Sequence, residues 1–428
     1  MKTGIVWFRN DLRVQDNYSL QRAVEENDRV IGVYCFEPQQ FAQTKYGFRK
    51  TEKFRAKFLR ESVAQLQADL YALNISLVVA HDLPETVIPA VGKEYAVKNI
   101  YLQRVWTAEE VAVQAQVAQA VAGSMNWTEA YDQFLFHPED LVFSTDNVPQ
   151  VFTQFRKKCE KYSPIRACVE ITACAKENLL STKSKIPSLS ELGFADFEVD
   201  ERSAFPFKGG TKAAEERMEH YFWETKNLSR YKKTRNGLVG LDYSSKLSAW
   251  LANGSISPRQ IYAAIKAYEQ ENGANDSTYW LVFELIWRDY FKYISLQHGN
   301  LIFQQGGILR RQYHWKKDSN LIQQWMDGTT KEPFVNANMI ELKKTGWMSN
   351  RGRQNVASYF AKNLELDWRI GAAYFESLLI DYDVDSNYGN WMYVAGVGND
   401  PRDRKFNVRL QASRYDAAGI FQRLWLTS

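Results

Sequence analysis

The sequence predicts an α/β plus all-α protein, with a Rossmann-like parallel-sheet domain over 1–130, a connector over 131–210 and an all-helical domain over 211–428. Three observations lead there. Short β-rich runs alternate with helical stretches at the start of the chain, the pattern of strands joined by crossover helices. The alternation then fades, and Ser, Pro, Lys and Gly accumulate. From Thr211 onward apolar residues recur at helical spacing with short breaks.

Thr3–Phe8, Val30–Phe36, Ile75–Ala80 and Asn99–Leu102 are apolar runs of strand length, expected to be buried on both faces of a parallel sheet. Asn17–Glu26, Lys53–Leu73 and Leu83–Tyr95 lie between them with helical periodicity, as right-handed crossovers require. The first strand runs into WFRNDLR and not into G-x-G-x-x-G, so no NAD or adenine dinucleotide is placed in this domain. Lys183–Ser190 and Phe205–Gly210 read as connector over the surface. Helical spacing after Thr211 breaks at Asn236-Gly237, Asn253-Gly254, Gly306-Gly307 and Gly328. No fixed-period repeat is present, which excludes a solenoid.

A length of 428 residues suits two or three domains, and 45% hydrophobic with 24% charged residues excludes a disordered or fibrous chain. The longest apolar stretch, Tyr279–Trp287, contains Glu284 and falls short of the ~18 residues of a membrane span. Arg9, Asp11 and Arg13 interrupt the apolar start, so no secretory leader and a cytoplasmic location are expected. Cys35, Cys159, Cys168 and Cys174 show no C-x-x-C spacing beside only five histidines; neither a metal site nor a disulfide framework is expected. Residues 1–200 carry a net charge of −3 and residues 201–428 one of +7. A basic half with most of the 13 Trp residues suits a flat conjugated ligand or nucleic acid; a merely solvated basic face has the same composition.

Four stretches carry chemistry. In YKKTRNGLVGLDYSSKLSAWLANGSISPR, Ser244, Ser245 and Ser248 surround Lys246 at a helix start, a composition that suits a phosphate cradle or an ordinary N-cap with Asp242. In WLVFELIWRDYFKY, Glu284, Trp287 and Arg288 fall on one helix face. They could read a base edge, stack it and hold a phosphate, or form a core helix with one Glu–Arg pair. GWMSNRGR offers the amide of Asn350 and a guanidinium at Arg353. LLIDYDVDSNYGNWMY places Asp381 and Asp383 at a helix end, where buried acids need partners and Arg353 is a natural one.

Together with WFRNDLR, these stretches resemble the photolyase/cryptochrome family, and within it the DASH cryptochromes, over essentially the whole chain. The resemblance implies FAD bound in a U shape inside the helical domain. It places Tyr231, Ser244, Ser245, Lys246, Leu247 and Ser248 at the pyrophosphate and ribityl chain, with Arg288 also in the cofactor site. Arg353 and Asp381 would pair beside the isoalloxazine ring, Asp383 would accept a hydrogen bond from ring or ribityl, Asn350 would lie over the cavity, and Asn387 would face flavin N5. A neutral amide there suits a stable reduced anionic flavin. Trp391, Trp368 and Trp315 match an electron relay running outward from the flavin.

The resemblance further implies repair of cyclobutane pyrimidine dimers. Glu284 would hydrogen-bond the pyrimidine and Trp287 stack on it, with Asn350 and Arg351 as further DNA contacts. Tyr393 stands where duplex-repairing relatives carry a second Trp, and Gln354 where they carry Met. Less stacking should offset less of the few kcal/mol that base flipping costs, so single-stranded or looped DNA is the expected substrate, with RNA a further candidate partner. His298 and His314 lie outside the lesion-site motifs, which argues against six-four repair. Methenyltetrahydrofolate is the antenna such proteins commonly hold; here Val105 occupies the place of the expected acid, with Glu109 and Glu110 following. A chain stopping soon after Leu426 has no long tail for signalling, and a monomer is expected. The competing reading is a blue-light photoreceptor or nucleic-acid-binding regulator with little repair.

Overall fold

The computed structural model describes residues 2–427 apart from Thr182, Lys183 and Pro401. The expected start of the Ser/Pro/Lys-rich connector, at Lys183, therefore lies outside the described residues. Strands β1 (Thr3–Trp7), β2 (Arg29–Cys35), β3 (Ser76–Ala80), β4 (Asn99–Gln103) and β5 (Asn126–Ala130) form a sheet ordered β3-β2-β1-β4-β5. Every pair in it is parallel. Crossovers run through α1 (Tyr18–Glu26), α2 (Lys53–Ala72), α3 (Pro84–Glu94) and α4 (Ala108–Ala120).

Alternation along β1 divides the core. Val6 and Phe8 pack with Leu20 of α1 and Leu66 and Leu70 of α2, whereas Ile5 and Trp7 pack with Ile88 of α3 and Val117 of α4. The expectation of burial on both faces holds for β1, β2 and β4 but not for β3, where Ser76, Val78 and Ala80 remain half-exposed. The reason is position: β3 is an edge strand. The polar edge strand β5 (NWTEA) and the Ala/Gln-rich α4, which buries only Val117, lack the patterns that revealed the other elements.

The segment 131–210 is not a surface strap throughout. Phe134, Leu135 and Phe136 are buried in the core of the helical domain. Buried Asp289 accepts the backbone N–H of Leu135 (2.9 Å) and of Phe136 (2.8 Å). Helix α5 (Phe152–Tyr162) adds Phe152, Phe155 and Cys159 to that core, while Leu189, Leu192 and Phe194 pack on the sheet domain.

The helical part comprises α6 (Thr211–Glu219), α7 (Tyr231–Thr234), α8 (Ser248–Asn253), α9 (Pro258–Asn272) and the central α10 (Asp276–His298). These are followed by α11 (Ser319–Asp327), α12 (Pro333–Thr345), α13 (Asn350–Ser358), α14 (Trp368–Leu378), α15 (Val384–Ala395), α16 (Val408–Tyr415) and α17 (Ile420–Leu426). A capping box between Asn275 and Thr278 starts α10. The Asn253-Gly254 break is where the two domains meet. Gly254 has φ 74°, and a Cβ there would stand 2.1 Å from the carbonyl oxygen of Asn10.

Candidate active site

Two chambers of about 250 and 90 Å³ meet in the helical domain, sharing Asn350, Arg353, Asp381, Asp383 and Ser386. The larger is walled by Tyr231 of α7 and by the loop Tyr243–Leu247 leading into Ser248. That loop turns with Lys246 in the left-handed region (φ 65°), a strain that persists where surroundings fix it. The N-cap expectation for this loop fails: Leu247 caps α8 without a side-chain bond, and Asp242 instead accepts from Arg217 (2.7 Å). Ser248 donates to Asp381 (2.7 Å). The hydroxyls of Ser244 and Ser245 have no hydrogen bond among the described residues. Lys246 does not aim its ammonium as a cradle cation would: Nζ lies 3.2 Å from the Tyr243 ring centroid and 4.9 Å from that of Trp347. It is buried without a hydrogen-bond partner, and burial pushes its pKa well down, opposed by nearby Glu341.

Arg353 and Asp381 pair as expected, Nη2 donating to both carboxylate oxygens at 2.9 Å. Asp383 takes a different partner: it accepts from Lys292 (2.8 Å) and caps α15 through the Ser386 N–H (2.8 Å). Burial disfavours its charge, but Lys292 and Arg288 outweigh that and hold the carboxyl well below the usual range. Lys292, which also donates to Asp385 (2.7 Å), was not singled out by sequence. Its signal was its place four residues after Arg288 on the same helix face. Arg288 donates to the carbonyls of Gln133 (2.6 Å) and Leu251 (3.2 Å), and with Asp383 it lines both the larger chamber and a cavity between the domains. Asn387 lines the smaller chamber, its amide donating to the Ala372 carbonyl (3.0 Å).

Glu284 opens on the larger chamber beside Asn350. Its ion pair is with Arg235 (2.7 Å) and not with Arg288; sequence gave no sign of this, because Arg235 lies on a different element. Burial raises the Glu284 carboxyl, opposed by Arg235. Trp287 is not in the wall of either chamber. Its indole stacks on Phe152 of the connector (centroids 3.6 Å, 10°) and meets Tyr393 edge-on (6.0 Å, 90°). Gln354 lines the smaller chamber and accepts from Arg351 (3.0 Å). Arg351 also donates to Asn236 (2.9 Å) and lies over Tyr415.

Trp391 walls the smaller chamber, buried, with its indole N–H unpartnered. Gly371 lets α14 approach it: a Cβ there would stand 2.3 Å from the ring. Trp368 starts α14, fully buried, donating to the Gln305 carbonyl (3.0 Å). Trp315 is half-buried; the backbone of its neighbour Lys316 donates to the carbonyl of Glu365 (2.8 Å) and accepts from the N–H of Asp367 (3.2 Å), which ties this segment to the residues just before Trp368. Trp325, 6.2 Å from Trp391, is a buried neighbour that sequence did not flag.

The interdomain cavity, about 200 Å³, lies at the carboxyl ends of β1, β2 and β4. Val105, Glu110, Glu37 and Arg9 line it, whereas Glu109 turns to Lys50. Burial pushes the Glu37 carboxyl up to about 7. Two guanidinium nitrogens of Arg9 and the side-chain amide oxygen of Gln103 are buried there without partners among the described residues.

Residues 280–428 match the family model of the FAD binding domain of DNA photolyase, and residues 4–173 that of DNA photolyase. Cryptochrome DASH of Synechocystis sp. is 46% identical over 99% of this chain and 87% of its own length. That of Xenopus laevis is 45% identical over 99% and 82%. The crystal structure of the Synechocystis sp. cryptochrome superposes with a TM-score of 0.94 at 46% identity, covering 100% of this chain and 89% of that one. A class III photolyase from Agrobacterium tumefaciens superposes at 0.85 with 26% identity, covering 100% and 87%. The helical domain thus binds FAD, and its chambers fit such a ligand: the free hydroxyls of Ser244 and Ser245 and the orphaned indole N–H of Trp391 offer donors in the walls. The chain belongs to the DASH cryptochromes of the photolyase/cryptochrome family.

Proposed function

We propose that the protein splits cyclobutane pyrimidine dimers under blue light, preferentially in single-stranded or looped DNA. The supporting observation is that half-buried Glu284 opens on the same chamber as the Ser244–Ser248 loop and Asn350, so a pyrimidine edge bound by Glu284 would share that chamber with the cofactor. Reduced FAD, when bound, supplies the electron that light drives onto the dimer. The chain's residues do the rest. Arg235 holds one oxygen of Glu284, leaving the other to accept an N–H from the pyrimidine, and Asn350 adds an amide at the same mouth. Trp287 and Tyr393, perpendicular to each other, stand outside both chambers and would meet the part of the lesion that lies beyond Glu284. Because Phe152 covers one face of Trp287, only its other face is open to a base. Arg351 and Gln354 form a linked pair toward the DNA.

Tyr231, the hydroxyls of Ser244, Ser245 and Ser248, and Leu247 hold the pyrophosphate and ribityl parts, with Lys246 packed behind the loop on Tyr243. Arg288, Arg353, Asp381 and Asp383 fix the ring, and Asn387, anchored on Ala372, presents a neutral amide to it. Trp391, Trp368 and Trp315 relay electrons inward when the flavin must be reduced. The interdomain cavity holds an antenna of the folate type; with Val105 in place of an acid, its polar contacts fall to Arg9, Glu37 and Glu110.

Glu284→Gln tests the reading. It should abolish dimer repair while leaving FAD content and photoreduction unchanged. Tyr393 and Gln354 leave room for the alternative of a light-dependent nucleic-acid-binding regulator. Wild-type protein that photoreduces FAD, binds DNA and splits no dimer would select it.

A further inference from the structure

Beyond the outermost tryptophan stands a tyrosine that no part of the repair reading uses. The Tyr313 and Trp315 rings meet edge-on with centroids 5.5 Å apart. Trp315 is half-buried with its indole N–H unpartnered, and Tyr313 is 36% exposed. The Tyr313 hydroxyl donates to Asp403 (3.0 Å) and accepts from Arg311 (3.3 Å). Lys362 binds the other oxygen of Asp403 and places its ammonium 5.0 Å from the Tyr313 ring.

We infer that Tyr313 is the terminal electron donor of the chain, oxidised by Trp315 with transfer of its phenolic proton to Asp403. The inference rests on the proposed relay Trp391–Trp368–Trp315. With FAD bound, the photo-excited oxidised flavin would supply the oxidant for Trp391, and the hole would move outward through Trp368 until Trp315 is a radical cation. One electron then passes from Tyr313 to Trp315 while the Tyr313 O–H bond breaks and its proton moves to Asp403 Oδ2. The products are neutral Trp315, a neutral tyrosyl radical and a protonated Asp403, so charge and electrons balance. A soluble thiol can later return one electron to the tyrosyl radical as Asp403 returns the proton.

The surroundings require this coupling. A phenol that loses an electron becomes a strong acid, and the ammonium of Lys362 and the guanidinium of Arg311 make a cation on the Tyr313 ring costly. A neutral radical escapes that cost. Asp403 is ready to accept: partial burial works against its charge, but Lys362, Tyr313 and Arg311 outweigh it and keep the carboxyl ionised below the usual range. Proton loss traps the hole at the protein surface, so return of the electron from the flavin slows.

Flash photolysis of the oxidised holoprotein, read by transient absorption and electron paramagnetic resonance, tests the inference. In wild type a tryptophan radical should decay into a tyrosyl radical, more slowly in deuterated water. Tyr313→Phe should lose the tyrosyl signal and return its tryptophan radical faster to the ground state. Asp403→Asn should slow the tryptophan-to-tyrosine step, with FAD content confirming an intact fold. A tryptophan radical that decays identically in wild type and Tyr313→Phe, with no tyrosyl signal in either, overturns the inference and leaves the relay standing. Absence of any tryptophan radical in wild type overturns the relay and this extension together.

Discussion

Lys246 of the chamber wall and nearby Glu341 are two titratable groups buried almost completely, at 2% and 1% exposure. Burial pushes the Glu341 carboxyl from 4.5 up to about 8, opposed by Lys246 and Arg353. At Glu341 the folded state therefore holds a proton that the unfolded state has released, and this group's contribution to stability falls as pH rises between those two values, while Lys246, held well below its usual range, contributes with the opposite sign. Glu341→Gln keeps shape and neutrality, so it should flatten that slope and be more stable than wild type near pH 8. Denaturant unfolding of the holoprotein across pH 4.5–8 reads this directly. At this scale the sequence was informative about which residues meet: the serines around Lys246 line one chamber with Glu284, and Asp381 pairs with Arg353. It was silent on Arg235, Lys292 and Glu341, because each finds its partner through tertiary contact and no spacing along the chain encodes that.

Elements were legible in proportion to the strength of their apolar pattern. Helices α1 to α3 and strands β1, β2 and β4 bury clear stripes or runs, whereas α4 and β5 bury little and carry no such signal. The connector was misread as surface because its buried aromatic run, Phe134–Phe136, belongs to no regular element and is held by Asp289 and not by periodicity. Helix packing around the expected relay depends on one small residue. Gly371→Ala would drive a methyl group into the Trp391 ring, so about 1–3 kcal/mol of stability should be lost. Thermal unfolding should show the loss, with slower flavin photoreduction as Trp391 shifts.

Across the whole molecule the domains are joined by a buried charge cluster. Arg259 of α9 donates to Asp16 at 2.9 Å and lies 3.5 Å from Asp132, and all three are within 1% of full burial. Removing one partner of such a cluster strands uncompensated charge. Arg259→Leu should therefore cost about 3–5 kcal/mol, seen as a lower denaturant midpoint. The partition into a sheet domain and a basic helical domain was readable from pattern and charge. The docking was not, since Asp16, Asp132 and Arg259 lie far apart in sequence. No helix of the described residues is long and apolar enough to cross a membrane.

The measurement that bears most directly on the proposed activity is blue-light repair of a thymine dimer by the fully reduced protein, in matched single-stranded and duplex oligonucleotides. Rapid repair of the single strand with poor repair of the duplex is predicted, because Tyr393 and Gln354 offer little to offset the cost of flipping the lesion from a helix. Failure to repair either strand, with FAD bound and photoreducible, would contradict it.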